Sequence, residues 1–197
     1  MKVTKYALVI GAALGAVSAH AQFGATSKAD LEVSGNKQGV YLSYSPFARA
    51  SGGGSSSNGY LFSVEKAISE GKNGPNVIGG FFTRVGGGNL YQINYRSYIA
   101  QDASVAFGIL GGDGFSGKND FSVMYLKDMP KMQGNPLTYQ LGGGLYYDSS
   151  SKGVNFAASL KASYPIQSGF SLDASFWYFH QGGDSVNLIT LGVGYRM

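Results

Sequence analysis

The fold is decided by the last stretch of the chain, Val186-Asn187-Leu188-Ile189-Thr190-Leu191-Gly192-Val193-Gly194-Tyr195-Arg196-Met197. From Ile189 onward every second residue is large and apolar, and the residues between are small or polar. A period of two places successive side chains on opposite faces of a β-strand. We therefore predict a C-terminal strand whose apolar face consists of Ile189, Leu191, Val193, Tyr195 and Met197.

The composition differs from that of a typical soluble enzyme. Only 13% of the 197 residues are charged, whereas soluble proteins carry about a quarter. The chain holds 31 Gly, 14 Tyr and 12 Phe, and its mean hydropathy is near zero. That average fits a barrel whose outward residues are apolar and whose inward residues are polar. The absence of cysteine excludes disulfides, thiolate metal sites and a lipid-modified N-terminal cysteine.

Residues 1–21 have the pattern of a cleaved secretory signal peptide. Lys2 and Lys5 form a positive n-region, residues 7–17 are an apolar run, and Ala19-His20-Ala21 is a small-x-small cleavage site. The run is too short to span a bilayer comfortably. Removal of two lysines, with no acid in the segment, lowers the formal charge from +4 to +2. So small a charge gives no reason to expect nucleic-acid binding.

After a polar periplasmic lead-in over residues 22–38, about ten segments alternate between apolar and polar residues. No apolar run after the signal approaches eighteen residues, so the mature chain can cross a membrane only as a closed barrel. We predict an all-β fold, a closed antiparallel transmembrane β-barrel of about ten strands over residues 39–197, with eight strands as the alternative. The segments are residues 39–47, 59–68, 77–85, 90–100, 103–110, 120–129, 137–147, 153–164, 169–180 and the C-terminal strand.

The connections between these segments form two alternating sets. With both termini in the periplasm, one set is predicted to face the outside and the other the periplasm. The outer connections are rich in Gly, Ser, Asp and Asn, as turns require. The outer set is residues 48–58, 86–89, 111–119, 148–152 and 181–185, and the periplasmic set is residues 69–75, 101–102, 130–136 and 165–168.

The ending Gly192-Val193-Gly194-Tyr195-Arg196-Met197 resembles the C-terminal strand of small bacterial outer-membrane β-barrels of the OmpA/OmpX type. In that family the last residue is typically Phe and, with the alternate apolar residues before it, is a signal for the barrel-assembly machinery. Met197 departs from that pattern. The resemblance implies a porin-like protein in the outer membrane of the cell envelope of a Gram-negative bacterium. Its partners would be outer-membrane lipids and the barrel-assembly machinery. It also implies a non-enzymatic role without a cofactor.

Charged residues on the polar parity are predicted to project into the lumen. They are Glu65, Arg84, Arg96, Lys161 and Asp173. One interpretation is a charged lining that selects small solutes, and the other is a salt-bridged interior that fills a narrow barrel. The second is favoured because a barrel of eight strands is only wide enough for side chains to fill, and ten strands add modest room.

Two further patterns have weaker interpretations. Gly112-x-Gly114-x-x-Gly117 matches a dinucleotide-binding fingerprint by letter, but a strand rather than a helix follows it, which favours a hairpin loop. His180 follows Trp177, Tyr178 and Phe179, and this cluster is interpreted as part of an aromatic girdle at the membrane surface. No serine or acid completes a convincing catalytic pair with His180.

The sequence thus predicts a non-enzymatic integral outer-membrane barrel with a structural or surface-interaction role, or a narrow passive pore. Small solutes and surface ligands remain open as partners. Two alternatives stay open: an outer-membrane lipid-modifying enzyme, and a soluble periplasmic barrel of the lipocalin type. The soluble barrel would point its apolar faces inward and leave Glu65, Arg96, Lys161 and Asp173 outside.

Overall fold

The computed structural model describes residues 28–31, 39–52, 55–86, 88–112, 120–130, 134–148, 152–167, 169–181 and 184–197. The predicted signal peptide, most of the predicted lead-in and the glycine-rich motif after Gly112 lie outside these residues.

Ten antiparallel strands form one closed barrel, which confirms the predicted fold class and the count of ten rather than eight. Each strand pairs with its neighbours in sequence, and β1 pairs with β10 to close the sheet. The strands are β1 (Val40–Gly52), β2 (Ser55–Glu70), β3 (Pro75–Val85), β4 (Gly88–Ala100), β5 (Ala103–Gly112), β6 (Asp120–Asp128), β7 (Thr138–Asp148), β8 (Gly153–Gln167), β9 (Phe170–Gln181) and β10 (Asp184–Arg196).

The chain enters and leaves the barrel at the same end, because the number of strands is even. Val40 N donates to Met197 O (3.1 Å), and Met197 N donates to Val40 O (2.9 Å). We call this the terminal end and the opposite one the loop end. A short helix, α1 (Lys28–Leu31), lies at the terminal end. Among the described residues, none belongs to a helix that is long and apolar enough to cross a membrane.

Large apolar side chains are exposed on the outer face of all ten strands. On β4, for example, Tyr91, Ile93 and Tyr95 are exposed while the intervening Gln92 and Asn94 are buried in the lumen. A barrel with this arrangement has apolar residues on its outer surface and buried charged residues in its lumen. A soluble barrel has the reverse arrangement.

The prediction that Arg84 faces the lumen is wrong, because β3 presents the opposite face. Arg84 is exposed, and Thr83 and Val85 beside it are buried inside. Arg84 is paired with the outward Tyr60 of β2, and Phe82 with the outward Phe62. Apolar residues occur on both faces of β3, so a period of two identifies the strand but cannot say which face turns inward.

The first hairpin is longer than predicted. The predicted loop over residues 48–58 is mostly strand, because β1 continues to Gly52 and β2 starts at Ser55. Ala48 and Ala50 continue the inward face, and Arg49 between them is exposed and donates through Nη2 to Ser56 Oγ (3.1 Å). Small and polar residues in this segment resemble a loop by composition, but the ladder with β10 satisfies their backbone groups.

One turn at the terminal end is only two residues long. Residues 101–102 connect β4 to β5, and Lys127 Nζ of the neighbouring strand β6 donates to Asp102 Oδ2 (2.5 Å). That hydrogen bond lowers the pKa of the Asp102 carboxyl. Both side chains are about half exposed, so the pair orders the turn without contributing much stability.

Two adjacent glycines of β7 provide a matched test of packing in the wall. A Cβ at Gly144 would collide with the Val123 carbonyl oxygen and the Met124 backbone, whereas a Cβ at Gly143 would meet nothing within 4 Å. We expect Gly144→Val to lower the free energy of unfolding by roughly 1–3 kcal/mol or to prevent folding, and Gly143→Val to behave as wild type. The change in gel mobility on boiling measures the folded fraction. Equal behaviour of the two variants would contradict the prediction.

Candidate functional site in the barrel lumen

Glu65 and Arg96 form a charge pair inside the lumen, with Arg96 Nη2 3.5 Å from Glu65 Oε2. Glu65 is 2% exposed and Arg96 0% exposed. They lie on β2 and β4, two strands apart, with β3 between them. Gly79 of β3 leaves room for the contact, since a Cβ there would be 2.8 Å from Glu65 Cγ. The Arg96 guanidinium also lies 5.5 Å from the centre of the Tyr98 ring.

A second charge pair joins neighbouring strands on the other side of the lumen. Lys161 Nζ of β8 is 3.9 Å from Asp173 Oδ2 of β9. Tyr41 OH donates to Asp173 Oδ2 (2.5 Å), and Ser171 Oγ donates to Asp173 Oδ1 (3.1 Å). The ammonium also lies 5.0 Å from the centre of the Tyr41 ring. The carboxylate thus has hydrogen bonds as well as a counter-ion, which buried charge requires.

The structure therefore places four of the five predicted lumen charges inside, in two separate pairs. These pairs are Glu65 with Arg96 and Lys161 with Asp173, all of them buried. Arg84 lies on the outer face and belongs to neither pair. Both pairs occupy the half of the barrel nearer the terminal end. We call them the charged layer.

The cluster of buried apolar residues inside the barrel, which we call the apolar layer, lies mostly on the loop-end side of the charged layer. Trp177 and Phe179 are buried here, with rings stacked at 6.3 Å between centroids. The prediction that these two belong to an exposed aromatic girdle is therefore wrong. The alternation on β9 contained the signal, because Phe176 and Tyr178 already occupied the outward positions. The other members of the cluster are Ala48, Ala50, Leu61, Phe81, Val85, Ala106, Met124, Leu126, Tyr146, Ala157 and Leu188.

Helix α1 closes part of the terminal end. Lys28 N donates to Asp128 Oδ2 (2.8 Å), and Lys28 Nζ donates to Asn73 O (3.0 Å). Leu31 is 1% exposed and packs in a cluster with Tyr41 and Val77. The sequence predicted only a polar lead-in over this segment. The two hydrogen bonds of Lys28 to the barrel span 100 and 45 residues of sequence, so no local pattern predicts them.

Several buried polar atoms in the lumen have no hydrogen-bond partner among the described residues. They include Ser63 Oγ, Ser122 Oγ and both amide atoms of Gln92. A cavity of about 20 Å³ beside Lys161 is lined by the hydroxyls of Ser43, Ser45 and Thr190, among others. Such a volume holds about one water molecule. This cavity is therefore large enough for a single water molecule rather than for a dissolved solute.

The described part of the lumen contains no recognisable catalytic or metal-binding arrangement. Within those residues, no three His, Cys, Asp or Glu side chains are close enough to hold a metal ion. His180 is exposed near the loop end, and its carbonyl oxygen accepts a hydrogen bond from Tyr146 OH (3.2 Å). The described lumen residues instead pack against one another, pair their charges and leave room for a bound water molecule.

Comparisons with known proteins find similarity in structure alone. No protein-family model matches the sequence, and no curated protein sequence matches it. Among solved structures, the outer membrane protein OprG from Pseudomonas aeruginosa is similar at 10% identity and a TM-score of 0.42, covering 84% of this chain and 99% of that chain.

Two further barrels are similar to a comparable degree. The KdgM porin matches at 11% identity and a TM-score of 0.45, covering 78% of this chain and 98% of that chain. The translocator domain of the autotransporter NalP from Neisseria meningitidis matches at 12% identity and a TM-score of 0.42, covering 87% of this chain and 92% of that chain.

Proposed function

We propose that this chain is a non-enzymatic integral protein of the bacterial outer membrane, with a lumen closed by its own side chains and a structural or surface-interaction role. The observation that carries the proposal is the exposed apolar surface on all ten strands. In water, a continuous apolar surface of that extent would cause aggregation. In a bilayer it is the surface that lipid requires.

The soluble alternative is disfavoured by the same observation. A lipocalin-like barrel needs its apolar faces inside and its charges outside. Here Glu65, Arg96, Lys161 and Asp173 are all buried in the lumen. The enzymatic alternative also lacks support. Among the described residues, no nucleophilic side chain is seen in contact with His180.

Three layers support a closed lumen. Helix α1 packs at the terminal end. The charged layer follows it, and most members of the apolar layer lie nearer the loop end. Ion passage would require displacing buried aromatic rings or breaking desolvated charge pairs, and both changes are costly.

A narrow passive pore is the second candidate. It is favoured by the unpartnered polar atoms of Ser63, Ser122 and Gln92, which mark a hydrated zone. A hydrated zone carries ions only when it is continuous from end to end. Apolar side chains such as Trp177 and Phe179 occupy part of the lumen, so this candidate ranks second.

Assembly would use the C-terminal strand. Ile189, Leu191, Val193, Tyr195 and Met197 are all exposed on the outer face of the barrel. They form one strip next to the closing strand β1. The barrel-assembly machinery is therefore the proposed partner for this strip, and outer-membrane lipids are the partners of the finished surface. Residues 1–21 would direct secretion into the periplasm as a cleaved signal peptide.

The location is tested by fractionating cells and comparing boiled with unboiled samples on a gel. We expect the protein in the outer-membrane fraction, with a mobility that changes on boiling because the closed sheet resists detergent. Soluble periplasmic protein whose mobility does not change on boiling would refute the proposed function.

The closed lumen is tested by electrical recording across planar bilayers. Folded wild-type protein is expected to give no unitary conductance steps, because the apolar and charged layers block the path. A conducting porin in the same bilayer verifies the assay. Reproducible steps from the wild type would refute the closed lumen and favour the passive pore.

The charged layer gives an independent test that distinguishes a packed interior from a water-filled one. Glu65→Gln leaves Arg96 buried without its counter-ion, and in a packed interior this costs about 3–5 kcal/mol. In a water-filled pore the same change costs about 1 kcal/mol or less. Unfolding by guanidinium can be followed by the fluorescence of Trp177, the single tryptophan of the chain.

The matched control is the double variant Glu65→Gln with Arg96→Gln. It removes both charges, so we expect it to recover much of the stability that the single variant loses. A single variant as stable as the wild type would contradict the packed charged layer.

A further inference from the structure

The outer wall of the barrel carries an apolar groove of about 530 Å³ at its closing seam. We call it the seam groove. Its floor contains the small residues Ala162 of β8 and Ala174 of β9, which pair with each other. Its walls are much taller. They include Tyr164, Leu172, Leu191, Val193, Tyr44 and Phe47.

A bulge in β1 forms one side of the seam groove. Tyr44 pairs with Val193 and Phe47 with Leu191, so two residues of β1 oppose the single Gly192 of β10. One of the two is Pro46, which lines the groove and has no N–H to contribute to the ladder. Gly192 permits the bulge, because a Cβ there would collide with the Tyr44 carbonyl oxygen. The seam groove therefore follows from specific residues, Pro46 and Gly192, that the bulge requires.

The lining limits what can occupy the seam groove. Among the described residues that line it, Asp173 alone is charged, and that carboxylate accepts hydrogen bonds from Tyr41 and Ser171 inside the barrel. Water would find too few polar partners there. A peptide segment would leave backbone groups unpaired at membrane depth. A second copy related by a two-fold axis would place one concave surface against another.

We propose that the seam groove binds one acyl chain of a phospholipid from the leaflet at the terminal end. The inference rests on the proposed membrane location. Its lining extends from Leu137, beside β7, through β8, β9 and β10 to β1. Five neighbouring strands span about 19 Å at the usual spacing. One leaflet of the hydrocarbon core is about 15 Å deep, so the groove suits the length of a single chain.

Packing rather than the hydrophobic effect holds the chain in place. Lipid tails are as apolar as the groove, so transfer from bulk lipid gives little free energy. A chain lying in a concave surface contacts protein on three sides, and each contact adds dispersion energy. The bound lipid should consequently exchange more slowly than the lipid around the convex remainder of the barrel.

The test compares two variants with the same substitution on one strand. Ala162→Phe fills the floor of the seam groove. Ala158→Phe lies four residues away on the same outward face of β8, outside the groove lining. Each protein is released from mixed micelles of detergent and phosphatidylethanolamine and weighed by native mass spectrometry. We expect wild type and Ala158→Phe to retain one phospholipid, and Ala162→Phe to retain about tenfold less, as loss of packed contacts implies.

The outcomes separate the groove from the membrane location. Gel mobility before boiling identifies folded samples, and Ala174→Leu replaces Ala162→Phe if that variant does not fold. Equal lipid retention by wild type and the groove variant, or no retained lipid at all, overturns the groove. So does a dimer that the groove variant disrupts, because it identifies a second copy as the occupant. A wild type that fractionates as a soluble protein refutes the proposed function instead.

Discussion

Backbone pairing between β1 and β10 is the constraint on which the rest of the barrel depends. A sheet whose outer face is apolar on every strand cannot leave an edge open, because unpaired N–H and C=O groups would then face lipid or another chain. Hydrogen bonds between Val40 and Met197 complete the ladder at the terminal end. The ladder shifts register once along this seam, at the bulge that contains Pro46. Because proline has no backbone N–H, the bulge leaves no N–H unpaired at that residue.

Closure of the barrel limits the space that is available to inward side chains. A ten-strand barrel has a narrow lumen, and side chains from facing strands compete for it. Inward glycines make room for large polar neighbours. A Cβ at Gly79 would crowd Glu65, one at Gly108 would collide with the Gln92 amide, and one at Gly194 would collide with the Tyr41 hydroxyl. Part of the high glycine content therefore has a steric cause in the lumen, in addition to the turns.

One irregularity of the wall affects both of its sides. The β1 bulge places Ser45 beside the small polar cavity inside and Pro46 beside the seam groove outside. Asp173 and Ala174 line both spaces. Hydrogen bonds from Tyr41 and Ser171 hold the Asp173 carboxylate on the inner side of the wall. Polar chemistry thus remains inside while the outer surface stays apolar.

The sequence by itself determined the strands and most of their faces, because the period of two is a local property of extended backbone. It sufficed for the ten strands and for the outward faces of elements such as β4 and β10. It failed for β3, where both faces carry apolar residues and only pairing with β2 turns Arg84 outward. Tertiary structure alone decided that Glu65 meets Arg96 across Gly79 and that α1 contacts Asp128. These contacts depend on strand register and barrel closure, which bring together residues that no local repeat relates.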